Sequence, residues 1–176
     1  MKKGIALLAG MAWLALTLTL AYADDMVIEM HYTVKDGMGK NIGTVIASQT
    51  PYGTLLTPKL SGLSPGLHGF HVHENGSCGP GEKDGHIVPG LAAGGHYDPD
   101  GTDAHKGPYA DGHLGDLPAL YVDKSGKAEQ PLLAPRLKLS DLKGHALMIH
   151  ANGDNYSDSP KKLGGGGARI ACGVAK

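Results

Sequence analysis

Cysteine is scarce, tryptophan scarcer, and neither sign of charge dominates. The only cysteines are Cys78 and Cys172, and neither belongs to a Cys-x-x-Cys pair, which argues against thiolate metal ligands. The 16 basic and 17 acidic residues balance too evenly to imply nucleic acid or an acidic surface as a partner. No segment offers an amphipathic helix of about ten residues, so a helical bundle has nothing to build on. The single tryptophan, Trp13, falls in a segment expected to be removed.

That segment is the N-terminus. Lys2 and Lys3 precede an apolar run from Ile5 to Leu20 and the small-residue triplet Ala21-Tyr22-Ala23, the pattern of a secretory signal peptide over residues 1–23. The run is close to the lower limit for spanning a bilayer. Thr17 and Thr19 dilute it, however, and no basic cluster follows, so a retained anchor is the weaker reading. No Cys lies near the cut to receive a lipid. The expected mature chain is one soluble domain over residues 24–176, with 14 basic and 17 acidic residues, and no stable membrane association. In an oxidising compartment an even pair of cysteines reads as a disulfide. Joining Cys78 to Cys172, 94 positions apart, would remove at most roughly 4–5 kcal/mol of unfolded-chain entropy.

Met26, Ile28, Met30, Tyr32 and Val34 alternate with Glu29, His31 and Thr33, the period of a half-buried strand. Lys35-Asp36-Gly37 supplies a turn, and Ile42–Gln49 reads as the returning strand. Further strands are expected at Thr54–Leu60, Gly69–His73, Leu117–Val122, Ala128–Leu133, His145–His150 and Arg169–Val174. The 28 glycines and 11 prolines cluster in two long connections, Glu74–Gly115 and Ala151–Gly167. Short strands joined this way indicate an all-β sandwich or barrel. Loops so long need something other than a hydrophobic core to order them.

The histidines supply a candidate. Strand alternation puts His71 and His73 on one face, with Phe70 and Val72 on the other. A second cluster, His96, His105, His113 and Asp116, lies in the first long connection and has the donor set of a tetrahedral zinc site. His150, on a later strand, shares a face with Met148 and Ala146.

Five separated motifs together resemble the copper–zinc superoxide dismutases, most closely their bacterial periplasmic branch. They are Gly-Leu-His-Gly-Phe-His-Val-His-Glu at 66–74, Gly-Gly-His-Tyr-Asp-Pro at 94–99, His-Leu-Gly-Asp-Leu at 113–117, His-Ala-Asn-Gly-Asp-Asn-Tyr-Ser-Asp at 150–158 and Arg-Ile-Ala-Cys-Gly-Val at 169–174. The resemblance covers nearly all of the mature chain. It implies a Greek-key β-sandwich, or flattened barrel, of about eight antiparallel strands with long metal-binding loops.

It also implies one copper and one zinc ion per subunit. Copper would be held by His71, His73, His96 and His150, and zinc by His96, His105, His113 and Asp116, with His96 as the bridge. Imidazole suits both metals, and a carboxylate suits zinc. Asp154 would hydrogen-bond His71 and His105, fixing their orientation. Arg169 would draw in superoxide, the anionic substrate, and His96 would deliver a proton to the departing peroxide. Lys83, Lys161 and Lys162 are candidates for outer steering charges. His68 is expected to brace loops, His31 to be solvated, His145 to point away from the site, and His86 to be an exposed loop residue. Some bacterial members pair and others remain monomers, so a homodimer is left open.

Two rivals can be weighed on the same residues. A non-catalytic copper- or zinc-binding or copper-delivery module would lack a copper histidine or the arginine, yet all are present. A zinc hydrolase needs an open position, which four protein ligands do not leave.

Overall fold

The alternation from Met26 becomes β1 (Met26–Val34), with Ile28 and Met30 fully buried. The structure, a computed structural model, describes residues 25–176; the expected signal peptide over residues 1–23 lies outside them. β1 turns back into β2 (Gly37–Thr50), which extends the expected strand at both ends, and a second turn leads to β3 (Gly53–Ser61). Then follow β4 (Gly66–His68), β5 (Phe70–His73) and the hairpin β6 (Gly81–Lys83) with β7 (His86–Val88). The chain ends with β8 (Leu120–Val122), β9 (Lys127–Ala128), β10 (Leu132–Ala134), β11 (Ala146–His150) and β12 (Arg169–Val174). Among the described residues the only helical turns are three short 3-10 turns at Leu91–Ala93, Leu139–Leu142 and Leu163–Gly165.

Eight strands form one antiparallel sheet in the order β10-β3-β2-β1-β12-β11-β5, with β9 also paired to β3. β4 and β8 pair separately, as do β6 and β7. The sheet curls around a core that includes Ile28, Leu56, Phe70, Val72, Leu117, Leu147 and Ile149, all buried. Each such side chain contributes roughly 1.5–3 kcal/mol on leaving water. The fold is the expected all-β sandwich.

Three strand expectations shift for local reasons. Register breaks after Met30 and again after His31 disrupt the period of β1, so Val34 ends 39% exposed instead of inside. The expected strand Ala128–Leu133 splits into β9 and β10 around Pro131, which has no N–H for a ladder. Gly69 leaves β5 because its N–H donates to the Asn152 carbonyl at 2.7 Å and its own carbonyl accepts from His150 N–H at 2.8 Å.

β5 is buried at every position. Phe70 and Val72 enter the core, whereas His71 and His73 are covered by the first long connection. Its pieces add to the free edge of β5: Tyr97 N–H donates to Val72 O and Val72 N–H to Gly115 O, each at 2.9 Å. This register sets His96 opposite His73 and Asp116 opposite His71. A Cβ on Gly115 would lie 2.3 Å from Val72 O, so only glycine allows the approach. The disulfide Cys78–Cys172, with Cα atoms 5.7 Å apart, fastens the start of the same connection to β12.

Replacing both cysteines with serine is expected to lower the unfolding free energy of the metal-free protein by about 2–5 kcal/mol, as measured by urea titration. An unchanged midpoint would show that the crosslink contributes no stability.

Candidate metal centre

β5 and β11 are neighbours with Met148 opposite His71 and Ala146 opposite His73. His150 follows at the end of β11, past a register break that sets it opposite Arg169. Together with His96 from the connection on the other edge of β5, these strands gather four buried imidazoles. One ring nitrogen from each of His71, His73, His96 and His150 lies within 4.8 Å of the others. His73 Nε2 and His150 Nε2 are 3.3 Å apart.

Asp116 anchors a second group. Its Oδ1 faces His96 Nδ1 at 2.9 Å, His105 Nδ1 at 3.0 Å and His113 Nδ1 at 3.3 Å. Its Oδ2 accepts backbone N–H groups of Lys106 and Gly107 at 3.1 and 3.2 Å. His71, His96, His105 and Asp116 satisfy the spacing of a metal-holding group, and His113 stands beside them on Asp116.

The remaining hydrogen bonds decide where the ring protons sit. His73 Nδ1–H donates to Gly94 O at 2.9 Å and His150 Nδ1–H to Gly167 O at 3.2 Å. His71 Nε2–H and His105 Nε2–H donate to the two oxygens of Asp154 at 2.7 and 2.8 Å. In the neutral rings a lone pair therefore remains on His73 Nε2, His150 Nε2, His71 Nδ1 and His105 Nδ1. His71 Nδ1 is buried without a hydrogen-bond partner, a condition that costs about 1–3 kcal/mol, and His105 Nδ1 has only the Asp116 carboxylate before it. Lone pairs that converge on one another and on a carboxylate oxygen repel unless a cation lies among them. Imidazole and carboxylate donors of this kind fit copper and zinc. Asp154 occupies one nitrogen of His71, so His96 is the ring with a nitrogen to offer each group.

Beside the four imidazoles is a pocket of about 280 Å³ lined by His73, His96, His150, Arg169 and Lys162. Arg169 is half-buried and fixed by two donated hydrogen bonds, Nη1 to Gly90 O at 2.8 Å and Nη2 to Gly94 O at 2.6 Å. The pocket suits a small anion.

Comparison with known proteins agrees. The family model described as copper/zinc superoxide dismutase matches residues 41–175. The chain belongs to this family. It is 57% identical over 155 residues to the Cu-Zn superoxide dismutase of Photobacterium leiognathi, covering 88% of each chain. The solved Cu/Zn superoxide dismutase from Brucella abortus superposes with a TM-score of 0.85 at 53% identity, over 87% of this chain and all of that one. The monomeric copper, zinc superoxide dismutase from Salmonella enterica gives 0.78 at 53% identity, over 87% of this chain and all of that one. This superoxide dismutase converts superoxide to dioxygen and hydrogen peroxide with copper and zinc as cofactors.

The other histidines stand around the dismutase centre. His68 Nδ1 meets His150 O at 2.7 Å and its Nε2 meets Ser64 O at 2.8 Å, bracing two loops. His145 lies off the site, donating from Nδ1 to His73 O at 3.1 Å and packing on the Tyr97 ring. His86 is exposed on β7, in a strand instead of a loop. His31 departs from expectation: it is half-buried beside Asn41, whose amide faces His31 Nε2, and its Nδ1 has no partner. One residue of the site is not evident from sequence reasoning: Asp158, whose Oδ2 accepts His105 N–H at 2.9 Å. Its only sequence signal is its place at the end of the motif at 150–158.

Without metal the centre has uneven proton affinities. Burial, and then neighbouring His96, pushes His71 down to about 3. Burial also takes His150 down to about 4 and lowers His73 and His96. Burial opposes protonation of His105 too, but Asp116 and Asp154 raise it to about 9. Burial alone would raise Asp116 and Asp154, yet their histidine partners hold both carboxylates well below the usual range. Stability from the depressed histidines is present above their ordinary value of 6.5 and lost as pH falls; that from His105 is present below 6.5 and lost as pH rises through 9. The metal-free protein is therefore expected to be most stable near pH 6.5, as read from urea midpoints across the pH range. Stability that climbs steadily into alkali would contradict this charge distribution.

Proposed function

We propose that His71, His73, His96 and His150 hold copper, and that His96, His105, His113 and Asp116 hold zinc, with His96 shared. The reading is carried by the facing Nε2 atoms of His73 and His150, 3.3 Å apart with both Nδ1 protons committed elsewhere, and by the unpartnered Nδ1 of buried His71. Copper supplies the one-electron couple by which one superoxide leaves as dioxygen and a second, with two protons, leaves as hydrogen peroxide. His96 Nδ1, which faces Asp116, is the nitrogen that would stay on the zinc side.

The protein's own groups do the rest. Arg169, pinned to two carbonyls, places a fixed cation at the wall of the pocket and orients the anion beside His73 and His150. Lys162 adds a second positive charge on the same pocket. Asp154 holds His71 and His105 in the tautomers that turn Nδ1 inward. His96 Nε2, when free, holds a proton within reach of the departing peroxide. The presence of all four copper histidines and the arginine disfavours a copper- or zinc-storing module.

His150→Ala is expected to abolish superoxide turnover while zinc stays bound. Arg169→Ala is expected to reduce kcat/KM about tenfold or more and to flatten its dependence on ionic strength. Unchanged rates in both variants would refute these roles. The site of action is the periplasm, as supported by the apolar segment from Ile5 to Leu20, the disulfide and the bacterial relatives. Mass spectrometry of exported protein is expected to find Asp24 at the N-terminus; a retained residue 1–23 segment would contradict cleavage.

A further inference from the structure

The connection from Ala151 to Gly167 touches both halves of the centre. Asp154 receives His71 and His105 on the metal side, while Lys162 and Leu163 line the substrate pocket. Between them is Asp158, an exposed residue whose carboxylate bridges the two. Its Oδ2 accepts the backbone N–H of His105 at 2.9 Å and its Oδ1 accepts the backbone N–H of Leu163 at 3.0 Å. Around this bridge the loop is tight. Gly164 N–H donates to Ser157 O at 3.0 Å and Asn155 N–H to Gly164 O at 3.1 Å. A Cβ on Gly164 would lie 1.9 Å from Asp154 Oδ1 and 2.7 Å from His105 Nε2, so the loop backbone rests directly on the pair that orients His105.

We infer that Asp158 is a positioning residue that couples the zinc side of the centre to the wall of the substrate pocket. The inference rests on the ligand roles proposed above. A carboxylate is suited to the task because both oxygens accept, and both partners are N–H donors. An asparagine would keep the shape but turn an N–H₂ toward one of those donors, breaking one end of the bridge. With the His105 end loose, the ring that depends on Asp154 for its orientation loses a backbone restraint. With the Leu163 end loose, Lys162 and Leu163 lose their fixed place beside His73 and His150.

The test uses the copper- and zinc-loaded protein and reads binding instead of turnover, so it stands apart from the activity of the His150 and Arg169 variants. Asp158→Asn is expected to surrender zinc to a competing chelator about tenfold more readily, and to bind azide, a small anion, about fivefold more weakly. Asp158→Glu, which keeps the carboxylate, is expected to recover part of both losses. Asp123→Asn is the control, because Asp123 accepts from Ser125 and Lys127 in an exposed turn between β8 and β9 and touches no part of the centre. Circular dichroism establishes that each variant is folded. Unchanged zinc retention, loosened zinc with unaltered azide affinity, equal losses in Asp158→Glu, or an equal effect of Asp123→Asn would each overturn the inference.

Discussion

The centre depends on one carboxylate, Asp154, holding two ring N–H groups at once. By accepting from His71 Nε2 and His105 Nε2, it forces both rings to turn Nδ1 into the interior. Neither nitrogen finds a proton donor there. A folded protein carries such an arrangement at a cost that a bound cation removes, so the chain stores part of its metal affinity as unsatisfied polar groups. Asp116 Oδ1 faces the His105 nitrogen and two further ring nitrogens, those of His96 and His113.

The scaffold makes the arrangement possible. β5 is a strand with both faces covered, its hydrocarbon face by the sheet core and its imidazole face by the connection laid along its edge. That edge pairing converts the strand's period of two into the proposed metal site, because His71 and His73 meet Asp116 and His96 at the same two rungs. The disulfide fastens the connection to β12, and three residues before Cys172 the chain places Arg169 against the carbonyls of Gly90 and Gly94. Gly94 O also accepts from His73. One loop carbonyl thus orients both a proposed copper-side imidazole and the cation proposed to face the substrate.

Much of this architecture is legible in the order of the residues alone. Side-chain alternation separates Phe70 and Val72 from His71 and His73, and places Ile28 and Met30 inside. Five motifs in order point to the family, and with it to the residues that the fold brings together. What stays hidden from the sequence belongs to the backbone. The carbonyls of Gly94 and Gly167, which set the tautomers of His73 and His150, have no side-chain signature. The breaks in β1 that expose Val34 and partly cover His31 arise from pairing with β2, not from local preference. The β6–β7 hairpin has one signal, the Asp84-Gly85 dipeptide of a two-residue turn, but its three-residue strands are too short to show a period. Asp158 is only the end of a motif until the fold lets its two oxygens join separate loops.

The most direct measurement is nitrogen NMR of the histidine rings in protein loaded with zinc and with diamagnetic Cu(I), and again with zinc and a diamagnetic divalent substitute in the copper position. In the second sample His71 and His105 should carry their proton on Nε2, His73 and His150 on Nδ1, and His96 on neither nitrogen. A proton on His71 Nδ1, or one retained by His96 with both positions filled by divalent ions, would contradict the proposed centre.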